Sequence, residues 1–121
     1  LTPALTIDAE LMAEAVTLQS AEELSALEPY GAGNPRPVFM TRHLRVMSEP
    51  RVMKEKHLKL MVAGGDGRPL EAVWWDGVEQ CGRTLTPGER IELAYTLEPN
   101  TWQGRTRLQL CVKDMRKAGD G

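Results

Sequence analysis

From Arg42 onward, apolar and polar residues alternate in five separate stretches, and this period of two limits the fold more than any other feature of the chain. The first stretch, Arg42 to Ser48, places Leu44 and Val46 on one face. The second, His57 to Ala63, places Leu58, Leu60 and Val62 inward and His57, Lys59 and Met61 outward. The third runs from Leu70 to Trp75, and its inward set is either Leu70, Ala72 and Trp74 or Val73 and Trp75. Ile91, Leu93, Tyr95 and Leu97 mark the fourth, and Leu108, Leu110 and Val112 mark the fifth, from Thr106 to Asp114. Side chains on a strand point alternately to opposite faces, so each stretch is a half-buried strand.

The connections sort these strands into an architecture. Gly64, Gly65, Asp66 and Gly67 form a hairpin turn of residues that tolerate positive φ, joining strands two and three directly. About fourteen residues, Asp76 to Glu89, separate strands three and four, with a short helix expected at Val78 to Cys81. Three strands, a small helix and two more strands is the order of an oligonucleotide-binding (OB) barrel. The expected class is therefore mainly β: a five-stranded OB-type barrel with a short helix between strands three and four, preceded by a short helical lead-in.

Charge divides the chain at the same place. Residues 1–35 carry six acidic side chains and no Lys or Arg, whereas residues 36–121 hold all fifteen basic residues against eleven acidic ones. The break falls in the Gly/Pro-rich segment from Gly31 to Pro37, a turn-rich junction between units with different neighbours. Ahead of it, Ser20 and Glu23 fit a capping box, Leu24 and Leu27 share one helix face, and Pro29 closes the helix. Thr6 to Val16 reads either as helix or as strand. The division expected is 1–36 as the tail of a preceding domain plus junction, 37–116 as the barrel, and 117–121 as a C-terminal tail.

Composition narrows the function. With 121 residues, 41% hydrophobic and 26% charged, the chain matches an ordinary single globular domain. No apolar run approaches the ~18 residues of a membrane span, so no membrane partner is expected. The first residue is Leu1 rather than Met and no signal-peptide layout follows, as expected of an excised fragment. Cys81 and Cys111 lie at no metal-ligand spacing and favour a reducing, cytoplasmic setting. His43 and His57 each stand alone, and no nucleophile elbow, P-loop or Asp/His cluster occurs, so neither a catalytic nor a metal residue is assigned.

Two loops and one strand face carry the candidate ligand contacts. The first-to-second loop, Glu49 to Lys56, supplies Arg51, Lys54 and Lys56 and leads into His57 and Lys59, spaced to follow one phosphate track. The fourth-to-fifth loop, Glu98 to Arg107, carries Trp102 at its tip beside Arg105 and Arg107, where the indole either stacks on a base or folds back as a lid on the barrel end. A stacking plane next to phosphate donors is the pairing that single-strand binding uses. Trp74 and Trp75 point to opposite faces, one into the core and the other onto the face that OB barrels offer to bases, where it serves a ligand or packs against a neighbouring domain; Trp75 is the candidate for the ligand contact.

The string from Leu27 to Phe39, LEPYGAGNPRPVF, resembles the junction between the second core domain and the OB domain in the RecJ family of bacterial single-strand-specific exonucleases. The resemblance continues at His57 to Leu60, at Leu97 to Asn100 and Trp102 to Gly104, and at Leu108 to Leu110 with Val112 to Asp114, in the same order over nearly the whole chain. It implies a parent enzyme that degrades single-stranded DNA from 5′ to 3′ with Mn²⁺ or Mg²⁺ held by an upstream domain. The Asp-His-His motif of that domain is absent here, so no cofactor is expected in this chain. The implied partners are single-stranded DNA, the upstream nuclease core of the same parent, and repair proteins. The leading expectation is a single-strand-binding accessory domain; the alternative is a structural or protein-interaction barrel that packs on the nuclease core or recruits a repair partner.

Overall fold

A computed structural model of the protein describes residues 5–27 and 35–118. The expected closing of the helix at Pro29, most of the junction string and the last three residues lie outside the described residues. Strands β1 (Ala9–Glu10), β2 (Phe39–Val46), β3 (Arg51–Met53), β4 (His57–Ala63), β5 (Pro69–Trp74), β6 (Arg90–Trp102) and β7 (Arg105–Lys117) form one sheet, with helices α1 (Leu18–Ser25) and α2 (Gly77–Cys81). Pairings run from β2 to β4, β5, β7, β6 and back to β2, antiparallel throughout except for β5 with β7. This is the expected five-stranded OB-type barrel, with α2 between its third and fourth strands.

Inside the ring, the inward sets of all five strands meet. Leu44, Val46, Leu60, Val62, Ile91, Leu93, Leu97 and Leu110 are fully buried, and Leu58, Leu70, Ala72 and Val112 join them. The open choice on the third strand is settled: Trp74 is 2% exposed and Trp75 is 53% exposed. The sequence pattern was symmetrical because Val73, on the outer face, is buried as well. Gly77 is required beneath Trp74, since a Cβ there would lie 2.8 Å from the Trp74 Cβ.

Two short strands and two extensions depart from the expected five stretches. The first-to-second loop is not a loop: β3 folds back on β4, pairing Arg51 with Lys59 and Met53 with His57. Its turn holds Lys54 and Glu55 both at positive φ, the twist that suits a tight hairpin. The fourth-to-fifth loop is likewise a ribbon, because the β6–β7 ladder continues without a break from Glu98 opposite Gln109 to Trp102 opposite Arg105. Gln103 and Gly104 alone make its turn, again at positive φ.

The lead-in folds onto the barrel. Thr6 to Val16 is neither a continuous helix nor a long strand: β1 adds two residues parallel to β2, then a 3₁₀ turn covers Ala13 to Ala15. The helix cap lies three residues earlier than expected, because the Thr17 hydroxyl accepts from the Ser20 amide, which places Ser20 inside the first turn. Ala13, Val16 and Ala21 enter the barrel's own core. Arg68, on the β4–β5 turn, donates from Nη1 to the Val16 carbonyl and from Nη2 to that of Ala13, each at 2.8 Å.

One polar pair sits within the barrel: the hydroxyls of Thr41 and Tyr95 are 2.6 Å apart, both residues fully buried. Burial pushes the Tyr95 phenol up to about 12, opposed by the hydrogen bond with Thr41. A raised phenol favours the neutral form in the folded state, so its stabilisation is complete below pH 10 and is lost as pH rises from 10 to 12. Replacing Tyr95 by Phe should cost ~1–3 kcal/mol at neutral pH, since it strands the Thr41 hydroxyl. Urea denaturation over a pH series should also show a flatter alkaline limb for Tyr95→Phe than for the parent chain.

Candidate nucleic-acid interface

Ladder registers place the outer face of β4, β5 and β7 in rows. One row runs Lys59, Val73, Cys111 and, across β6, Thr96. Val73, Cys111 and Thr96 are small and buried between longer neighbours, so this row forms the floor of a shallow trough. The next row holds Met61, Glu71 and, from β7 and β6, Gln109 opposite Glu98. Burial and the nearby Glu98 carboxylate push the Cys111 thiol up to about 12, keeping it protonated and unreactive.

One end of the trough is aromatic. The rings of His57 and Trp75 meet edge to face, centroids 4.8 Å apart. His57 Nδ1 accepts the Asp76 amide at 2.9 Å, which puts the neutral ring's proton on Nε2 and fixes the plane beside Trp75. Lys54 and Lys56 are exposed on the adjoining β3–β4 turn, and the Lys56 carbonyl accepts the Val78 amide at the start of α2. Arg51 is exposed on β3.

The other end is the tip of the β6–β7 ribbon, where Trp102 is 65% exposed directly opposite Arg105, with Arg107 opposite Asn100. Arg105 and Cys111 are six residues apart on one strand, ~20 Å at the rise of an extended chain. The sequence-predicted residues therefore do not converge on one spot. Lys54, Lys56, His57 and Trp75 lie at one end, Trp102, Arg105 and Arg107 at the other, and Lys59 between them, with Arg51 opposite it on β3.

Sequence reasoning missed Glu71. Lys59 is not a free cation, since its Nζ lies 3.5 Å from Glu71 Oε1. Gln109 Nε2 donates to the same oxygen at 3.5 Å. The signal was available, because once Trp74 is inward the alternation places Glu71 outward, level with Met61. As for a metal, among the described residues no three His, Cys, Asp or Glu side chains come together, and His57 Nδ1 is already engaged. The donor set does not fit the Mn²⁺ or Mg²⁺ that the resemblance implies for the parent enzyme.

Strand order, the parallel β5–β7 contact and the interposed α2 define an OB barrel, a fold whose strand-two and strand-three face and flanking loops serve as a ligand surface. The sequence pattern of the family described as RecJ OB domain matches residues 7–114, and the chain belongs to that family. A single-stranded-DNA-specific exonuclease RecJ from Dickeya dadantii is 34% identical over 112 residues, which is 89% of this chain and 18% of that protein. The crystal structure of RecJ in complex with Mn²⁺ from Thermus thermophilus superposes with a TM-score of 0.69 at 28% identity, covering 95% of this chain and 16% of that one. A mitochondrial single-stranded DNA binding protein from S. cerevisiae shares the fold alone, with a TM-score of 0.55 at 14% identity, over 72% of this chain and all of that one. The chain thus spans less than a fifth of the exonuclease relatives it matches.

If the trough takes a nucleic-acid backbone, Glu71 opposes it. Glu71→Gln should release Lys59, tighten oligonucleotide binding and steepen the log affinity against log salt slope by ~0.7, the value of one added phosphate contact on a single strand. Fluorescence anisotropy at several salt concentrations measures both.

Proposed function

We propose that this chain is the single-stranded DNA binding domain of a 5′-to-3′ single-strand exonuclease of DNA repair and recombination, holding substrate for a catalytic domain outside residues 1–121. The observation that carries the reading is the pair of exposed indoles, Trp75 and Trp102, at the two ends of one barrel face, each beside cations. Stacking at either end would select unpaired bases, and Lys54, Lys56, Lys59, Arg105 and Arg107 would hold the backbone between them. The span between the two indoles, eight residues or ~26 Å along the strands, suits the several nucleotides that one OB barrel accommodates. Metal chemistry on the scissile phosphate belongs, on this reading, to the upstream core, and no residue here takes a catalytic role.

The alternative, a barrel that packs on the nuclease core, is favoured by one observation. An apolar groove of about 400 Å³ between α1 and the barrel is lined by Leu11, Leu24, Leu27, Phe39 and Leu97, with Leu27 66% exposed. It lies on the lead-in, close to where an upstream domain would join. The two roles use different faces and are compatible.

Two measurements test the leading role. Oligothymidine affinity should fall with salt at a log–log slope near −2 to −3.5, that of about three to five phosphates, and replacing Lys54, Lys56 and Lys59 together by Ala should flatten it. A slope that stays the same in the triple variant would move the phosphate track elsewhere. Trp102→Ala should weaken binding by ~1–3 kcal/mol. The same change should shift stability by less than ~0.5 kcal/mol, because the indole is mostly in solvent. A destabilised variant with undiminished affinity would remove Trp102 from the site.

A further inference from the structure

On the far side of the ring, β2 and β6 pair Arg45 directly opposite Arg90. Partners in an antiparallel ladder point to the same face, so the two arginine side chains leave the sheet side by side, and like charges so placed destabilise a sheet. Both residues are exposed, and among the described residues neither has a carboxylate within 4 Å. Arg42, on the same strand as Arg45, shows the contrast: Glu10 lies 2.7 Å and Glu92 3.7 Å from its guanidinium. The end of β7 covers the backbone beside Arg90, the Ala118 amide donating to the Arg90 carbonyl, while Lys117, opposite the inward Ile91, belongs to the other face. No Trp, Tyr or Phe ring accompanies them on the outward positions Arg42, Arg45, Arg90, Glu92 and Ala94.

We infer that Arg45 and Arg90 form a second phosphate-binding surface, separate from the β4–β5–β7 trough, that takes the backbone of duplex DNA. An uncompensated cationic pair gains most from a partner with closely spaced fixed anions, and a duplex presents one charge per ~1.7 Å of axis. Without an aromatic plane, the surface has nothing with which to select unpaired bases. A DNA with a duplex arm and a single-stranded tail could then engage both sides of the barrel, the tail on the trough and the arm on this pair. The polyanion is named from the function proposed above, but the surface itself does not depend on the trough.

The test is anisotropy with a blunt hairpin duplex and, separately, oligothymidine, for the parent chain, for Arg45→Gln with Arg90→Gln, and for the Lys54, Lys56 and Lys59 triple Ala variant. Loss of two duplex phosphate contacts should make the duplex salt slope shallower by ~1.8 in the double Gln variant, with oligothymidine binding unchanged. The triple variant should show the reverse. The thermal midpoint of the double Gln variant should stay level or rise, since repulsion is removed; a fall would overturn the premise that the pair is uncompensated. Duplex binding that is absent in the parent chain, or unaltered in the double Gln variant, would overturn the inference. So would displacement of the duplex from Arg45 and Arg90 by polyglutamate at equal charge concentration, which would point to an acidic protein segment instead. If oligothymidine fails to bind while duplex binding depends on Arg45 and Arg90, the single-strand reading fails and this surface stands.

Discussion

The barrel closes through a parallel contact of two residue pairs, Ala72 with Leu110 and Val73 with Cys111. Parallel pairing cannot come from a hairpin, because the two strands start at the same end and require a long crossover. Here the crossover consists of α2, the loop through Leu85 and the whole of β6. Two hairpins, β4–β5 and β6–β7, would otherwise remain open sheets with unpaired edges. This junction also aligns the outer rows of β5 with those of β7, so the distance at which Trp75 stands from Trp102 follows from it.

The face built in this way is mixed in charge rather than uniformly basic. Glu71 and Glu98 lie in the row below Val73 and Cys111, and Glu98 accepts the Thr96 hydroxyl at 3.1 Å. Acids in a phosphate track weaken every contact and favour quick release. On the function proposed above, that property suits a domain whose substrate must move past it. The lead-in takes part of the remaining charge out of play: Asp8 accepts the Val38 amide, and Glu10 pairs with Arg42.

The fold was legible where burial on one side enforced alternation, as in β4, whose inward Leu58, Leu60 and Val62 were all found in the core. It was less legible where a ladder overrode local preference. Glu98, Pro99 and Asn100 are poor strand formers, yet they continue β6 because β7 pairs them all the way to the turn. Arg51 to Met53 form a strand only because β4 offers an edge. Thr17 and Ser20 both suit a helix start, and the chain enters α1 at Thr17, whose hydroxyl accepts the Ser20 amide next to a turn that Arg68 grips. For the site, residue types were readable but their separation was not, since distance along a curved face depends on register rather than spacing.

Three indoles occupy three different settings in one small chain. Trp74 is enclosed with its ring N–H lacking a hydrogen-bond partner among the described residues, Trp75 is half open against an imidazole, and Trp102 stands in solvent. The molecule therefore carries its own optical instrumentation. A blue-shifted emitter reports the integrity of the core, a second is subject to quenching by the neighbouring ring, and a red-shifted one reports the ribbon tip. Single-tryptophan versions would allow each end of the trough and the core to be watched separately, without attaching a dye.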